Sequence, residues 1–291
     1  MQITVAATQY SVTPAQSWAD YAERSAQRVA DMAAAGAKII VFAEYGSLEL
    51  SALLPAGRSV REELASLQQF TADFLTLYRS LAQAQQVVIV APGCLHWDSE
   101  QQNYVNRAWV CFPDGTYRYQ DKIHLTQYEQ SPMQIAGGRE LHLFYWEKLC
   151  FAVVTCYDSE FPQQVSRLTQ AGAELLLVPS CTDRPAGHQR VEISCRARAL
   201  ENQCYVVQAP LCGDADWSEI IDVNVGTAGF YSPIDVGFSA TGVLSQCPAS
   251  EPFQVYSLNM AQLQLARQQG QVHNFSNLHW PIPQTVITHS C

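Results

Sequence analysis

The strongest constraint on the fold is the repeated succession of amphipathic segments and short apolar segments. Residues 14–35 place their apolar side chains on one helical face, and Gly36 ends that pattern. The run 38–43 is then almost wholly apolar, as expected for a strand that is covered on both faces. Because helix and strand patterns keep alternating along the chain, the sequence predicts a layered α/β fold.

The same alternation continues beyond the first strand–helix unit. Further strands are predicted over 3–10, 87–90, 108–112, 116–119, 140–145, 150–155, 174–178 and 205–207, and further helices over 64–81 and 189–202. The turn Pro113-Asp114-Gly115 indicates a hairpin between two of these strands. Two similar halves follow one another without a linker, so we expect one domain over 1–291. Its tail, 270–291, is a candidate subunit-interface segment.

Charge and hydropathy exclude several classes of function. A formal net charge of -10 makes polyanions poor partners, because phosphate contacts require clustered Lys and Arg side chains. We therefore expect no nucleic-acid partner. No apolar run approaches the roughly 18 residues that a membrane helix requires, and residues 1–5 lack the basic start of a signal peptide. We expect a soluble, cytoplasmic protein with no membrane contact.

The 10 cysteines are spread over the chain, several of them within predicted strands. Without an export signal, most are expected to be reduced thiols. There is no C-x-x-C pair, no H-E-x-x-H motif and no Cys/His cluster at zinc spacing, so no metal site is predicted. Glycines are not arranged as G-x-G-x-x-G or as a phosphate-binding loop, so no nucleotide cofactor is predicted either.

Three chemically reactive side chains fall where predicted strands end. Glu44 and Cys156 each terminate an apolar run, and Lys122 closes the strand that follows the predicted turn. In open α/β sheets, ligands bind in the crevice beyond the carboxyl ends of the strands, so these side chains can converge. A carboxylate base, an ammonium and a thiol in one crevice form a set suited to acyl transfer.

Each of these residues also has a purely structural interpretation. Cys156 could be a small buried apolar residue or a metal ligand, Glu44 a helix-capping acid, and Lys122 a solvated surface charge. His124 is an alternative thiol partner, as in Cys–His hydrolases. However, the glycines that would shape a G-x-C-x-G elbow are missing around Cys156.

Four segments decide between these interpretations: "VFAEYG", "PDGTYRYQDKIHL", "VTCYDSEFP" and "RARALENQCYVVQA". Their order and spacing resemble the successive motifs of the carbon–nitrogen hydrolase (nitrilase) superfamily, over about residues 3–245. The resemblance implies a Glu-Lys-Cys triad, which falls on Glu44, Lys122 and Cys156. It also implies a four-layered αββα sandwich and a homodimer or higher homo-oligomer. The chemistry of the three groups themselves requires no metal or organic cofactor.

The resemblance extends to residues around the triad. Glu129, seven residues after Lys122, matches a second glutamate that helps to position the lysine and the substrate amide. The Lys122 ammonium and the backbone N–H of Tyr157 are the expected oxyanion hole. Further candidates for the substrate-binding surface are Asp158, Ser180, Cys181 and Thr182.

Two departures from the family pattern bear on the substrate. Ala43 stands where proline often precedes the first glutamate, which removes no chemical group. Glu160 stands where many members have an arginine, so a dicarboxylic acid monoamide is a less favoured substrate. The order Cys156-Tyr157-Asp158 is similar to the amidase branches rather than to members that hydrolyse nitriles.

The expected activity is hydrolysis of a small-molecule amide through a Cys156 thioester, which releases ammonia or an amine and a carboxylic acid. Nitrile hydrolysis and acyl transfer by the same three residues remain alternatives. A catalytically silent binding protein of the same fold is a further alternative, although all the reactive residues are present. The segment 213–233 is a candidate cover for the site.

Overall fold

The helices and strands alternate along the chain as the sequence predicts. The computed structural model describes residues 1–279 and residue 281. The strands are β1 (Gln2–Thr8), β2 (Tyr10–Ser11), β3 (Ile39–Val41), β4 (Val88–Val90), β5 (Cys94–Asp98), β6 (Asn103–Cys111), β7 (Tyr117–Asp121), β8 (Phe144–Trp146), β9 (Leu149–Val153), β10 (Leu175–Ser180), β11 (Tyr205–Asp214), β12 (Val223–Asn224), β13 (Gly229–Tyr231), β14 (Val243–Gln246) and β15 (Phe253–Asn259). The helices are α1 (Trp18–Ala34), α2 (Val60–Leu67), α3 (Thr71–Gln85), α4 (Gln127–Gln130), α5 (Pro162–Gln170), α6 (Pro185–Asn202), α7 (Met260–Gln269) and α8 (Asn274–Asn277). Short 3₁₀ turns are formed by Gly46–Leu53, Gln68–Phe70 and Cys156–Glu160.

The strands form two mixed sheets. The first has the order β15-β1-β3-β4-β6-β5 with β7 paired to β6, and the second has the order β14-β13-β11-β10-β9-β8 with β2 and β12 paired to β11. The centre of each sheet is parallel, formed by β1, β3 and β4 in the first and by β9, β10 and β11 in the second. Parallel strands of this kind are normally covered on both faces, which accounts for their near-continuous apolar sequences.

Alternate residues of the central strands belong to different layers of the core. Val41 of β3 and Val153 of β9 are buried in one cluster between the sheets. Ile40 instead packs in a cluster with α1 and α3, and Ala152 packs in a cluster with α5 and α6. The order is therefore helices, sheet, sheet, helices, which confirms the predicted four-layered αββα sandwich.

Strand direction determines where the reactive residues emerge. β3 and β4 are parallel, β6 is antiparallel to β4, and β7 is antiparallel to β6, so β7 runs in the same direction as β3. The carboxyl ends of β3 and β7 consequently lie at the same edge of the first sheet. In the second sheet, β9 and β10 are parallel and also end at one edge.

The helix predicted over 64–81 is wrong in one respect, because the structure has two helices there. α2 ends at Leu67 and α3 begins at Thr71, with a 3₁₀ turn between them. Phe70 in this turn packs against the same core cluster as the helices on either side. The apolar face is therefore continuous through the break, and its periodicity could not reveal the change of axis.

Two strands of the first sheet were not predicted. β5 pairs with β6, and β15 pairs antiparallel with β1 along its whole length, from Gln2 opposite Asn259 to Thr8 opposite Phe253. The partners β1 and β15 lie at opposite ends of the described chain. Nothing local in the sequence indicates that pairing.

The tail predicted over 270–291 lies partly outside the described residues. In its described part, α8 packs beside α6, where Asn274 Nδ2 donates to the Leu200 carbonyl oxygen at 3.2 Å. The Arg267 guanidinium lies 3.9 Å from the ring centre of Phe275. An interface role for the tail stays a prediction. Among the helices of residues 1–279, none has both the length and the apolar character needed to cross a bilayer.

Candidate active site

Glu44 follows β3 in a tightly packed segment. A side chain at Gly93 would place its Cβ 3.0 Å from the Glu44 Cα and 2.8 Å from the Tyr45 nitrogen, so glycine permits the close approach of these backbones. Tyr45 adopts the left-handed conformation, with φ 60°. The carboxylate of Glu44 is 1 % exposed and lies at the wall of a cavity.

Lys122 follows β7 directly, and its ammonium is buried between two carboxylates. Its backbone N–H donates to the Asn106 carbonyl oxygen at 2.9 Å, which continues the ladder between β6 and β7. Its Nζ lies 2.9 Å from Glu44 Oε1 and 2.8 Å from Glu129 Oε2. The two glutamates and the lysine therefore form one buried ionic cluster, although Glu44 and Glu129 are 85 residues apart in the chain.

The Glu129 carboxylate accepts hydrogen bonds from four different residues. It completes a capping box at the start of α4, where the Thr126 N–H and hydroxyl donate to Oε2 at 2.8 and 2.9 Å. The Tyr45 hydroxyl donates to Oε1 at 2.6 Å, and Lys122 Nζ lies 3.0 Å from the same oxygen. These contacts hold the carboxylate in one orientation beside the lysine.

Asn106 joins this cluster and was not predicted from the sequence. Its Nδ2 donates to Glu44 Oε1 at 2.8 Å and to Glu129 Oε1 at 3.1 Å, and the residue is 1 % exposed. Asn106 lies in the middle of β6, a strand that is buried at all but its first residue. A polar side chain at such a position needs hydrogen-bond partners, and this was the signal that could have identified it.

Cys156 follows β9 and begins a 3₁₀ turn. Its backbone is left-handed, with φ 48°, and the Ser159 hydroxyl donates to its carbonyl oxygen at 2.6 Å. This unfavourable conformation turns the chain sharply at the end of the strand without the glycines of a G-x-C-x-G elbow. The thiol is 3.5 Å from the Cys181 carbonyl oxygen, and the residue is 5 % exposed.

The ionisable groups of the site have unequal proton affinities. Burial raises the pKa of the Cys156 thiol well above its usual value, and the neighbouring Glu44 carboxylate adds to this. Burial also raises the pKa of Glu44, against the opposing effect of Lys122. Burial alone would raise the pKa of Glu129 too, but Lys122 and the other donors bring it below the usual value. Glu129 thus holds its negative charge more firmly than Glu44, which is the better suited of the two to exchange a proton.

Lys122 remains protonated despite its burial. Removal from water alone would lower the pKa of its ammonium, but the Glu44 and Glu129 carboxylates raise that pKa well above the ordinary value. Its Nζ lies 2.9 Å from Glu44 Oε1 and 2.8 and 3.0 Å from the two oxygens of Glu129. The lysine is also in the wall of the cavity.

A cavity of about 920 Å³ opens onto these residues, with Glu44, Lys122, Glu129 and Cys156 in its wall. Part of the cavity wall is the segment 218–224, from the predicted cover. Among the contacts that hold this segment, Trp217 Nε1 donates to the Leu48 carbonyl oxygen at 3.0 Å. The Ser218 hydroxyl and the Glu219 N–H donate to the Glu63 carboxylate at 2.7 and 2.9 Å, and the Tyr128 hydroxyl donates to the Glu219 carbonyl oxygen at 2.6 Å.

The other predicted site residues divide into two groups. Tyr157, Cys181 and Thr182 line the cavity. Asp158 and Ser180 are each 1 % exposed and are not part of its lining. The Asp158 carboxylate instead accepts the backbone N–H groups of Ile123 and His124 at 3.0 and 2.7 Å. The structure therefore corrects the expected location of Asp158: it anchors the segment after Lys122.

His124 lies on the other side of that segment. Its ring stacks on Phe161 with centres 3.6 Å apart, and its Nδ1 is 2.9 Å from Asp158 Oδ1. It is not in the wall of the cavity that contains Cys156. Over residues 1–279, the structure has no group of three or more His, Cys, Asp or Glu side chains placed to hold a metal ion.

Comparison with known proteins identifies the family. The family model described as carbon-nitrogen hydrolase matches residues 4–233. The chain therefore belongs to the carbon–nitrogen hydrolase family, as its four motifs predicted.

Curated relatives carry hydrolase and amidase names. The chain is 27% identical to the "Probable hydrolase YhcX" of Bacillus subtilis (strain 168), over 94% of this chain and 53% of that protein. It is 30% identical to the deaminated glutathione amidase of Mus musculus, over 54% of this chain and 52% of that protein. The chain thus spans about half the length of these relatives.

Solved structures of the nitrilase superfamily have the same fold. Nit3 of Saccharomyces cerevisiae superposes with a TM-score of 0.73 at 18% identity, covering 92% of this chain and 93% of that one. An amidase from Nesterenkonia sp. AN1, in a form with acrylamide added at its active-site cysteine, superposes with a TM-score of 0.68 at 19% identity, covering 92% and 97%. At these identities the likeness concerns the fold alone.

Proposed function

We propose that this carbon–nitrogen hydrolase is a thiol amidase that cleaves a small amide through a thioester on Cys156. The observation that carries the proposal is the buried cluster at the cavity wall, where the Lys122 ammonium lies 2.9 Å from the Glu44 carboxylate. A base, a cation and a nucleophilic sulfur thereby face one cavity. The amidase names among the relatives favour an amide as the substrate.

In this mechanism Glu44 carries protons and Glu129 does not. The pKa of Glu44, which burial raises, suits a group that alternates between base and acid. Glu129 has the lowered pKa of a carboxylate that stays ionised, and its oxygens are occupied by Tyr45, Asn106, Lys122 and Thr126. Its role is to keep the ammonium charged and in position.

The developing negative charge on the substrate oxygen is stabilised by Lys122 and by the backbone N–H of Tyr157. Among the hydrogen bonds of the described residues, none uses the Tyr157 N–H. That N–H follows Cys156 in the 3₁₀ turn and is free to donate. Loss of one such donor typically raises the barrier by roughly 3 to 4 kcal/mol.

The reaction then proceeds in two halves. Glu44 takes the thiol proton as Cys156 Sγ bonds to the amide carbon, and the C–N bond breaks as Glu44 returns that proton to the leaving nitrogen. Ammonia or an amine departs and a thioester remains. Glu44 next takes a proton from water, whose oxygen bonds to the same carbon. The C–S bond breaks, the sulfur regains a proton, and a carboxylic acid is released.

The test is to mix the protein with a panel of primary and N-substituted amides and to follow ammonia or amine release. Intact mass should increase by the acyl group when substrate is in excess. Cys156→Ala should remove both turnover and adduct while leaving the thermal unfolding midpoint within a few degrees, because a smaller side chain is tolerated there. Undiminished turnover by Cys156→Ala would end the proposal.

The same assay separates the alternatives. Acyl transfer is indicated if an added amine or alcohol captures the acyl group in preference to water, and hydroxylamine would trap it as a hydroxamate. A nitrile that is turned over faster than its amide would favour nitrile hydrolysis. A silent binding protein would form no adduct with any of these compounds.

The proposal includes a cytoplasmic location and a homodimer or higher homo-oligomer. Light scattering of the purified protein tests the oligomeric state.

A further inference from the structure

The amide group of Asn106 contacts both carboxylates of the site through one nitrogen. Nδ2 lies 2.8 Å from Glu44 Oε1 and 3.1 Å from Glu129 Oε1, and each of its two hydrogens therefore has a carboxylate acceptor. The backbone of Asn106 is held as well, since its main-chain carbonyl oxygen accepts the Lys122 backbone N–H at 2.9 Å. Asn106 thus contacts the backbone of Lys122 and the carboxylates of Glu44 and Glu129 at the same time.

The hydrogen bonds to Glu44 are unevenly divided between its two oxygens. Oε1 accepts from Asn106 Nδ2 at 2.8 Å and from Lys122 Nζ at 2.9 Å. Among the described residues, no N–H group donates to Oε2, and the further hydrogen-bond partner of this carboxylate is the Cys156 thiol. An oxygen with two donors has little capacity to accept a proton, whereas an oxygen with none can accept one from a thiol or from water.

Building on the proposed function, we infer that Asn106 is a positioning residue that fixes Glu44 Oε1, so that Oε2 is the oxygen that exchanges protons with Cys156 and the substrate. Without the Asn106 amide, the carboxylate has one fixed contact instead of two and can rotate about the lysine. The amide also separates two like charges that share a single cation. Asn106 therefore acts through Glu44 and does not touch the reacting atoms.

This role predicts a specific change in pH dependence. The titratable groups that face Glu44 are Lys122 after β7, Glu129 on α4, Cys156 after β9, Cys181 after β10 and the neighbouring Tyr45. Donation from Asn106 favours the charged form of Glu44, so removing it raises the pKa of Glu44 further. The pH at which the base form disappears then moves upward.

The experiment compares wild type, Asn106→Ala and the isosteric Asn106→Asp. The measurements are the pH profile of kcat/KM on an amide substrate and the pH profile of Cys156 alkylation by iodoacetamide, followed by mass spectrometry of its peptide. Loss of a hydrogen bond to a charged group corresponds to a fall in kcat/KM of roughly 10- to 150-fold. The acid limb of both profiles should move to higher pH, and further in Asn106→Asp, which adds a third carboxylate.

Asn202→Ala is the matched control, because Asn202 is also a 1 % exposed asparagine with two hydrogen bonds, to Thr169 and to Arg198. It should leave both acid limbs in place. The inference is overturned if a folded Asn106 variant keeps the wild-type limb, whatever its rate. Alkylation needs no turnover, so it tests Asn106 even if the protein hydrolyses no amide, an outcome that would count against the proposed function alone.

Discussion

Replacing Glu129 by glutamine should shift the pH profile in the direction opposite to that of the Asn106 variants. Glu129 is a buried negative charge near Glu44, and it raises the pKa of Glu44. Glutamine at this position would keep the shape of the side chain, but its amide nitrogen would face donors, because Glu129 accepts through both oxygens. The substitution therefore removes the negative charge and one acceptor, and without that charge the pKa of Glu44 should fall.

The size of this shift follows from the geometry. Lys122 Nζ lies 2.9 Å from Glu44 Oε1 and 3.0 Å from Glu129 Oε1, so these two oxygens are at most about 5.9 Å apart. At an effective dielectric constant of about 20, two unit charges at that distance repel by about 2.8 kcal/mol, or about 2 pH units. We expect the acid limb of kcat/KM to move down by about 1 to 2 units.

The assay is a full pH profile of kcat/KM for wild type and Glu129→Gln. The rate on the plateau should also fall, by roughly tenfold or more, because Lys122 loses one of its anchors. Glu49→Gln is the control: Glu49 is fully buried and paired with Arg24 and Arg28, but it is not in the cavity wall. An acid limb that stays in place or rises in Glu129→Gln would refute the assigned charges.

Three further outcomes are expected. Lys122→Met should prevent thioester formation. It should also lower the free energy of unfolding by about 3 to 5 kcal/mol, because it leaves two buried carboxylates without a cation. Urea denaturation should show a smaller loss at pH 5 than at pH 7, since the two acids of the variant can be neutral at the lower pH. Asp158→Asn should cost about 1 to 3 kcal/mol in the same measurement, since one of the two backbone N–H groups it accepts would meet an amide donor. The cavity wall carries the acids Glu160, Asp183, Glu219 and Asp222, and the cation Arg190, which lies 3.4 Å from Glu160, leaves the other three acids in excess. 5-Aminopentanamide should therefore be a better substrate than pentanamide and glutaramate a poorer one, with differences in kcat/KM that shrink as salt is added; equal values would contradict this.

Much of the site could be predicted because its reactive residues lie in contiguous motifs at strand ends. Glu44, Lys122 and Cys156 each follow an apolar or alternating segment, and all three meet in the wall of one cavity. Their roles stay predictions until the variants are measured. Asn106 was not predicted because it lies in the interior of a strand and not at a strand end, where reactive residues were expected.

What the sequence could not predict depends on contacts between distant segments. The pairing of β15 with β1 and the break between α2 and α3 have no local pattern of their own. Asp158 was expected to be part of the substrate-binding surface. Its carboxylate points instead to the segment after Lys122, and only the packed structure could reveal which of two nearby partners it meets.

The attachment of the segment 218–224 separates the shape of the cavity from its reactive residues. The segment follows β11 of the second sheet and ends with β12, yet Leu48 and Glu63 on the first-sheet side hold it in place. Substitutions at these anchors would widen or narrow the chamber without moving the lysine or its two acids. Under the proposed function, selectivity for the size of the molecule that enters can therefore diverge between descendants of this chain while the reactive residues are inherited unchanged.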